Sequence, residues 1–125
     1  MSETDTNSTG RARQLIDKAL ETQEGRAHAD RVRLALRLGA LVHQVRIRAG
    51  LTQAELARRI GTRQSLISRL EGGNLGHVPG NELLDSIAVA CGYRMTISME
   101  PDIAHQQLEP VEVVLHADEA GSGES

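Results

Sequence analysis

Four side chains within one short helical stretch carry most of the chemistry this sequence offers. Gln64, Ser65, Ser68 and Arg69 are interleaved with Leu66, Ile67 and Leu70. At roughly 100° per residue, with Gln64 as zero, Ser68 falls at about 40°, Ser65 at about 100° and Arg69 at about 140°; the three apolar residues fall between about 200° and 300°. One arc is therefore wholly hydrogen-bonding and the other wholly apolar. A primary amide, two hydroxyls and a guanidinium on one face suit reversible, multidentate hydrogen bonding. They do not suit bond making. No nucleophile, base and orienting acid can be assembled from the chain, so no catalytic residue is assigned and an enzyme is not expected. His28, His43, His77, His105 and His116 show no pair at metal-ligand spacing and Cys91 stands alone, so neither a metal nor a cofactor is expected. Cys91 ends an apolar helix and reads as core.

The arc needs a neighbouring helix on which to press its apolar side, and the sequence supplies one just upstream. Thr52-Gln53-Ala54-Glu55 fits a capping box, with the Thr52 hydroxyl on the Glu55 amide and the Glu55 carboxylate returning to the Thr52 amide. A helix therefore starts at Gln53. Leu56, Ala57 and Ile60 give it one apolar face, Gly61 permits a sharp turn, and Thr62 can cap the next helix, which runs to about Glu71 before Gly72-Gly73. Two short helices joined by a tight turn result, with Gln64, Ser65, Ser68 and Arg69 projecting outward. A polar outer face is common to surface helices, so the arc alone names no ligand.

The first ten residues read as a disordered tail. Leu15, Ile16, Ala19 and Leu20 mark a short amphipathic helix from Arg11 to Glu24, ended by Gly25. Asp30 can cap a longer helix with Leu34, Leu38, Leu41, Val42 and Val45 facing inward, stopping near Ala49-Gly50. After a Gly-rich loop from Gly72 to Gly80, Asn81 to Cys91 forms a last helix with Leu83, Leu84, Ile87 and Ala88 inward, closed by Gly92. There the period changes. Tyr93, Met95, Ile97 and Met99 alternate with Arg94, Thr96, Ser98 and Glu100 until Pro101, which predicts one strand; Val111, Val113 and Leu115 suggest a second. The fold expected is mainly α, a bundle of four to five helices with one or two appended C-terminal β-strands.

Composition narrows the partners. A chain of 125 residues, 39% hydrophobic and 25% charged, is about one soluble domain. The net charge of −3 hides an uneven distribution. Residues 11–100 hold all 14 basic side chains against nine acids, whereas residues 101–125 hold six acids and no base. No apolar run is long enough to span a membrane, and Ser2–Gly10 is polar and acidic where a secretory signal would be basic and then apolar; a cytoplasmic location is expected. Tyr93 is the single aromatic residue, which argues against the stacking platforms of single-stranded nucleic-acid readers.

The run from Leu51 to Glu71 closely resembles the helix-turn-helix of the Cro/cI-type, or XRE, family of phage and bacterial repressors, in caps, turn glycine and apolar positions alike. The resemblance covers Val32 to about Gly92. It implies a lambda-repressor-like domain and a double-stranded DNA partner, with the second helix of the pair entering the major groove. Arg69 and Arg63 can then make bidentate contacts to guanine, and Gln64 to adenine, each worth ~1–3 kcal/mol of discrimination; Ser65 and Ser68 can bond a base or a phosphate. Thr52, Gln53, Thr62 and Asn74 are the implied contacts to the DNA backbone, Gln53 with the help of its helix N-terminus. Arg58 and Arg59 suit either the phosphate field or a solvated face. Within the same resemblance Arg46 and Glu71 take the places of a partly buried ion pair that serves structure. The family often sets Lys or Arg just after the recognition helix, where this chain has only His77 between Gly72 and Gly80.

An isolated strand leaves its amides unpaired and its apolar face bare. Tyr93–Glu100 pairs either with Val111–Leu115 or with its own copy in a second subunit. Antitoxin repressors of the HigA and HipB types append such a strand after the last helix and dimerise through it, and Leu83 to Pro101 is similar to theirs. The pairing between subunits, with Tyr93, Met95, Ile97 and Met99 as its apolar side, is therefore the one expected, and a twofold dimer suits a palindromic operator. The layout expected is a tail and short helix over 1–29, a DNA-binding domain over 30–92, a dimerisation segment over 93–116 and a disordered acidic tail over 117–125. The function implied is a homodimeric transcriptional regulator, a repressor in the family's usual sense. The alternative is an antitoxin that also neutralises a toxin protein, with 11–24 and the acidic 102–124 as its docking segments.

Overall fold

The computed structural model describes residues 2–116 and divides after Leu34 into two units. The first is a single helical segment. Helix α1 (Ser2–Arg48) runs unbroken through Gly25 and Asp30, where two separate helices are expected, and it includes the residues up to Gly10 expected to form a tail. The reason is one of energetic scale. A glycine inside a helix costs about 1 kcal/mol relative to alanine and most polar residues cost less, so neither stops a helix that is already nucleated. The acidic tail expected at 117–125 lies outside the described residues.

In the second unit α1 is followed by α2 (Gln53–Ile60), α3 (Gln64–Glu71) and α4 (Asn81–Ala90). Leu56 and Ala57 of α2, Ile67 and Leu70 of α3, and Leu84 and Ile87 of α4 close a core with Val42 and Leu51. The apolar period of α2 to α4 thus does what an amphipathic pattern must, burying one stripe per helix. On α1 the buried positions are Ala35, Gly39, Val42 and Arg46, with Leu38 and Val45 half-buried beside them. Leu34 and Leu41, expected to face inward, are 46% and 52% exposed. Helix α1 meets the end of α3 at Gly39. A Cβ on Gly39 would stand 2.9 Å from the Glu71 carbonyl oxygen and nearer still to that of Leu70, so only glycine permits this approach.

Helix α4 closes with the Tyr93 amide donating to the Ala88 carbonyl at 2.8 Å. Tyr93 therefore belongs to the helix end, and the strand is shorter than its alternation predicts: β1 spans Thr96–Met99. It pairs antiparallel with β2 (Val111–Val114) of the same chain, with Ile97 opposite Val113 and Met99 opposite Val111. A short 3₁₀ turn, Ile103–His105, lies in the connection. The strand's partner is thus the nearer of the two alternatives, and the pairing of β1 with a second copy, expected above, gives way to it along this edge. An eleven-residue connection, Glu100–Pro110, makes closure within the chain cheap. Ile97 and Met99 lie in β1, while Met95 precedes it, accepts from the Leu115 amide at 3.0 Å and packs on the helical core. No helix among the described residues is long and apolar enough to cross a membrane.

Candidate nucleic-acid interface

Local sequence fixes how α2 and α3 meet. The Thr52 hydroxyl accepts from the Glu55 amide at 3.0 Å and the Thr52 amide donates to the Glu55 carboxylate at 3.1 Å, a complete capping box. The hydrogen bond from the Thr52 amide, first among the causes, holds the Glu55 carboxyl below its ordinary range. At the other end Gly61 adopts φ +74° and α2 closes with the Thr62 amide donating to the Ala57 carbonyl at 2.8 Å. That bond makes Thr62 the closing residue of α2. The chain enters α3 one residue later than expected, with Arg63 as N-cap and no side-chain cap bond, so Thr62 does not cap the helix.

The eight residues of α3 sort as the helical period requires. Ile67 and Leu70 are buried, and Gln64, Ser65, Ser68 and Arg69 are exposed together with Arg63. Gln64, Ser65, Ser68 and Arg69 thus line the polar arc of α3 from its first turn to its last, and Arg63 stands at the turn before it. Arg69 Nε donates to the Ser65 carbonyl at 3.4 Å, which lays the guanidinium along its own helix. No acidic residue stands in the first turn of α3, leaving the positive end of the helix dipole uncompensated and favourable to an anion.

Of the residues expected at a phosphate backbone, Thr52 and Asn74 are exposed, and Gln53 and Thr62 half-buried. Asn74 follows the end of α3, its amide bonded to the Arg69 carbonyl at 2.7 Å. Arg58 is exposed, but Arg59 turns its Nη1 to the Ala90 carbonyl at 3.1 Å and so ties α2 to the end of α4.

A polar network lies beneath this surface. Arg46 Nε donates to Glu71 Oε2 at 2.6 Å and Arg46 Nη2 to Glu71 Oε1 at 2.8 Å; Arg46 Nη1 donates to the Leu51 carbonyl at 2.8 Å. The two side chains are 8% and 6% exposed. A charge so enclosed is tolerable only when paired and hydrogen-bonded, as both are. Burial would push the Glu71 carboxyl up, but the hydrogen bonds from Arg46, His43 and Gln53 and the charge of Arg46 outweigh it and hold the group below its ordinary range. The hydrogen bond to Glu71 in turn raises Arg46 against the opposing effect of burial.

Three further side chains join it. His43 Nδ1 lies 2.8 Å from Glu71 Oε1, Gln53 Nε2 donates to the same oxygen at 3.3 Å, and Gln64 Nε2 donates to Gln53 Oε1 at 3.1 Å. The sequence assigns Gln53 and Gln64 to DNA and carries no signal of their bond to each other. Gly39, His43 and Arg46 stand at i, i+4 and i+7 on α1, a spacing that puts all three on the face toward the end of α3. Given the Arg46–Glu71 pair, that spacing is the sequence signal that points to Gly39 and His43.

Burial raises the Cys91 thiol, consistent with a side chain packed against the core. Among the described residues no three His, Cys, Asp or Glu side chains are grouped so as to hold a metal ion.

Residues 37–93 match the family model of a helix-turn-helix domain. Neither the curated proteins nor the solved structures contain a match to the chain.

Proposed function

From a chain that carries a helix-turn-helix domain over residues 37–93, we propose a sequence-specific regulator of transcription, a repressor that binds double-stranded DNA as a homodimer on a palindromic operator. The observation that carries this reading is the division of α3: Ile67 and Leu70 are buried while Gln64, Ser65, Ser68 and Arg69 are exposed, with Arg63 exposed at the N-cap before them. A helix anchored on its inner side and armed on its outer side with two guanidiniums, an amide and two hydroxyls is suited to base edges in a major groove. Arg69 and Arg63 read guanine, Gln64 reads adenine, and Ser65 and Ser68 take a base or a phosphate. Thr52, Gln53, Thr62 and Asn74 meet the DNA backbone.

The dimer is supported by the sheet. Met99, Val111 and Val113 share one face with Ile97 and are 74%, 68% and 54% exposed, which in a two-stranded sheet is an apolar face lacking cover. A second copy of the chain covers it in the proposed assembly and sets two recognition helices for successive turns of one groove.

A duplex selected from a randomised pool, and the chain's own upstream region, are the probes. In gel-shift titrations the wild type binds one sequence in preference, and the Arg69→Ala, Gln64→Ala double variant loses that preference while keeping its fold. Affinity falls steeply with salt, as phosphate contacts demand. An unchanged preference in the double variant removes the assignment.

A further inference from the structure

Two bare surfaces of the second unit are complementary in charge. On α1, Arg37, Leu41, Gln44 and Arg48 follow at i, i+4, i+7 and i+11, the spacing of one helical stripe, and all four are exposed. At 100° per residue this stripe lies on the side of the helix opposite the buried Ala35, Gly39, Val42 and Arg46. Its charge is of one sign, since residues 31–48 hold five arginines and no acid. Arg46 is enclosed with Glu71, whereas Arg37 and Arg48 have no acidic partner among the described residues. Leu41 stands between them, half of it in solvent. The hairpin offers the converse. Met99, Val111 and Val113 form the bare apolar face of the sheet, and residues 99–112, around its connecting end, hold four acids and no base. Glu100 follows β1 directly, Glu109 stands two residues before β2, and both are exposed.

We propose that the α1 stripe of one copy docks on the sheet face of a second, and the reverse, so that two identical helix-on-sheet contacts close the twofold dimer. Leu41 enters the apolar face. The methylene stems of Arg37 and Arg48 extend that cover and carry their guanidiniums to the carboxylates at the end of the sheet. Arginine suits the place, being always charged, weakly hydrated and able to grip a carboxylate with two N–H groups. An apolar centre with a charged rim is the usual build of such an interface. The other way to cover the same face, sheet against sheet, sets two acid-rimmed surfaces together, like charge against like. Both halves of the contact are present in every copy, so a second copy supplies what the first lacks. The proposal rests on the dimer proposed above and names the surface that completes it.

Charge reversal on the full chain tests it, with solution mass as the readout and no DNA present. One protein carries Arg37→Glu with Arg48→Glu, the other Glu100→Arg with Glu109→Arg. Each alone sets like charges against each other in both contacts, and its self-association weakens by about 100-fold or more. Mixed in equal amounts, the two restore opposite charges in both contacts and form a heterodimer of wild-type strength. That rescue requires both chains to be folded. The milder Arg37→Gln, Arg48→Gln variant, folded by circular dichroism, weakens the wild-type dimer in the same direction. Either reversed protein dimerising alone as tightly as wild type, or a mixture that stays monomeric, overturns the docking. A wild-type dimer that is broken by a charge at Val113 but indifferent to the reversals on α1 keeps the dimer through the sheet face and overturns only its seat on α1. A wild-type monomer overturns both. Reversals on α1 that leave the mass unchanged and weaken DNA binding assign the stripe to phosphates and overturn the proposal.

Discussion

Gly39 of α1 faces the Leu70 carbonyl oxygen of α3 so closely that no side chain fits between them. The contact sets the distance between the first helix and the end of the helix that carries the reading surface, and it predicts a stability loss of steric origin. Gly39→Ala forces the two helices apart at a cost of about 1–3 kcal/mol, and Gly39→Asn is no better. Gly61 offers the contrast. Its φ of +74° is paired with open space around the missing Cβ, so the cost of Gly61→Ala is conformational, about 1 kcal/mol, and Gly61→Asn recovers part of it because asparagine tolerates the left-handed region. Urea unfolding of the four variants, compared through their midpoints at unchanged slope, checks the assignment. An asparagine advantage at Gly39 would contradict it.

The Arg46–Glu71 pair predicts both a mutational and a pH signature. Glu71→Gln keeps the shape of the side chain but leaves the enclosed Arg46 without its counter-charge, a change that costs roughly 3–5 kcal/mol for buried pairs at neutral pH. The Glu71 carboxyl is held below its ordinary range in the folded chain. Its contribution to stability is therefore complete above the ordinary carboxylate pKa of about 4.3 and is lost as pH falls through the lower folded value, because the unfolded chain takes up the proton first. The gap between wild type and Glu71→Gln should be constant from pH 7 to pH 5 and close progressively below that. Unfolding free energies at several pH values between 7 and 2 supply the measurement, and a gap that persists undiminished at the acid end counts against the pair.

What the sequence disclosed and what it withheld have physical reasons. The capping box at Thr52 and Glu55, the apolar stripes of α2 and α3 and the period change after Gly92 are local signals, and the elements they mark are there. Errors arose where a neighbour decided. Thr62 has the chemistry of a cap, yet α2 closes on it and α3 begins one residue later, with Arg63 at the N-cap. Leu34 and Leu41 are bulky enough to be read as core, yet α1 buries Ala35, Gly39 and Val42 instead, with Gly39 against the carbonyls at the end of α3. Tyr93 fits the alternation of a strand, but its amide caps α4 first. Gly25 reads as a stop only if a helix must end wherever its weakest residue lies. At the reading surface, the exposed residues followed from the helical period of α3. The bonds linking His43, Gln53 and Gln64 did not, because hydrogen bonds between side chains on three helices leave no periodic trace in one chain.

The exposed face of the two-stranded sheet gives the proposed dimer a sharp test. Val113 stands opposite Ile97 and beside Met99 and Val111 on the apolar face, while Glu112 lies on the other side of the sheet opposite Ser98. A charge placed at Val113 meets solvent in the single chain, so Val113→Glu is expected to fold with an unchanged far-UV circular dichroism spectrum. In an assembly that buries this face the same carboxylate is enclosed without a partner and association fails. Solution mass should therefore fall from dimer to monomer in Val113→Glu and remain dimeric in Glu112→Gln. Binding to a palindromic duplex should weaken by about 100-fold as the linked second contact is lost, with affinity for a single half-site unchanged. A Val113→Glu protein that stays dimeric would move the interface away from this face, and a wild-type protein that is monomeric would remove the palindrome together with it.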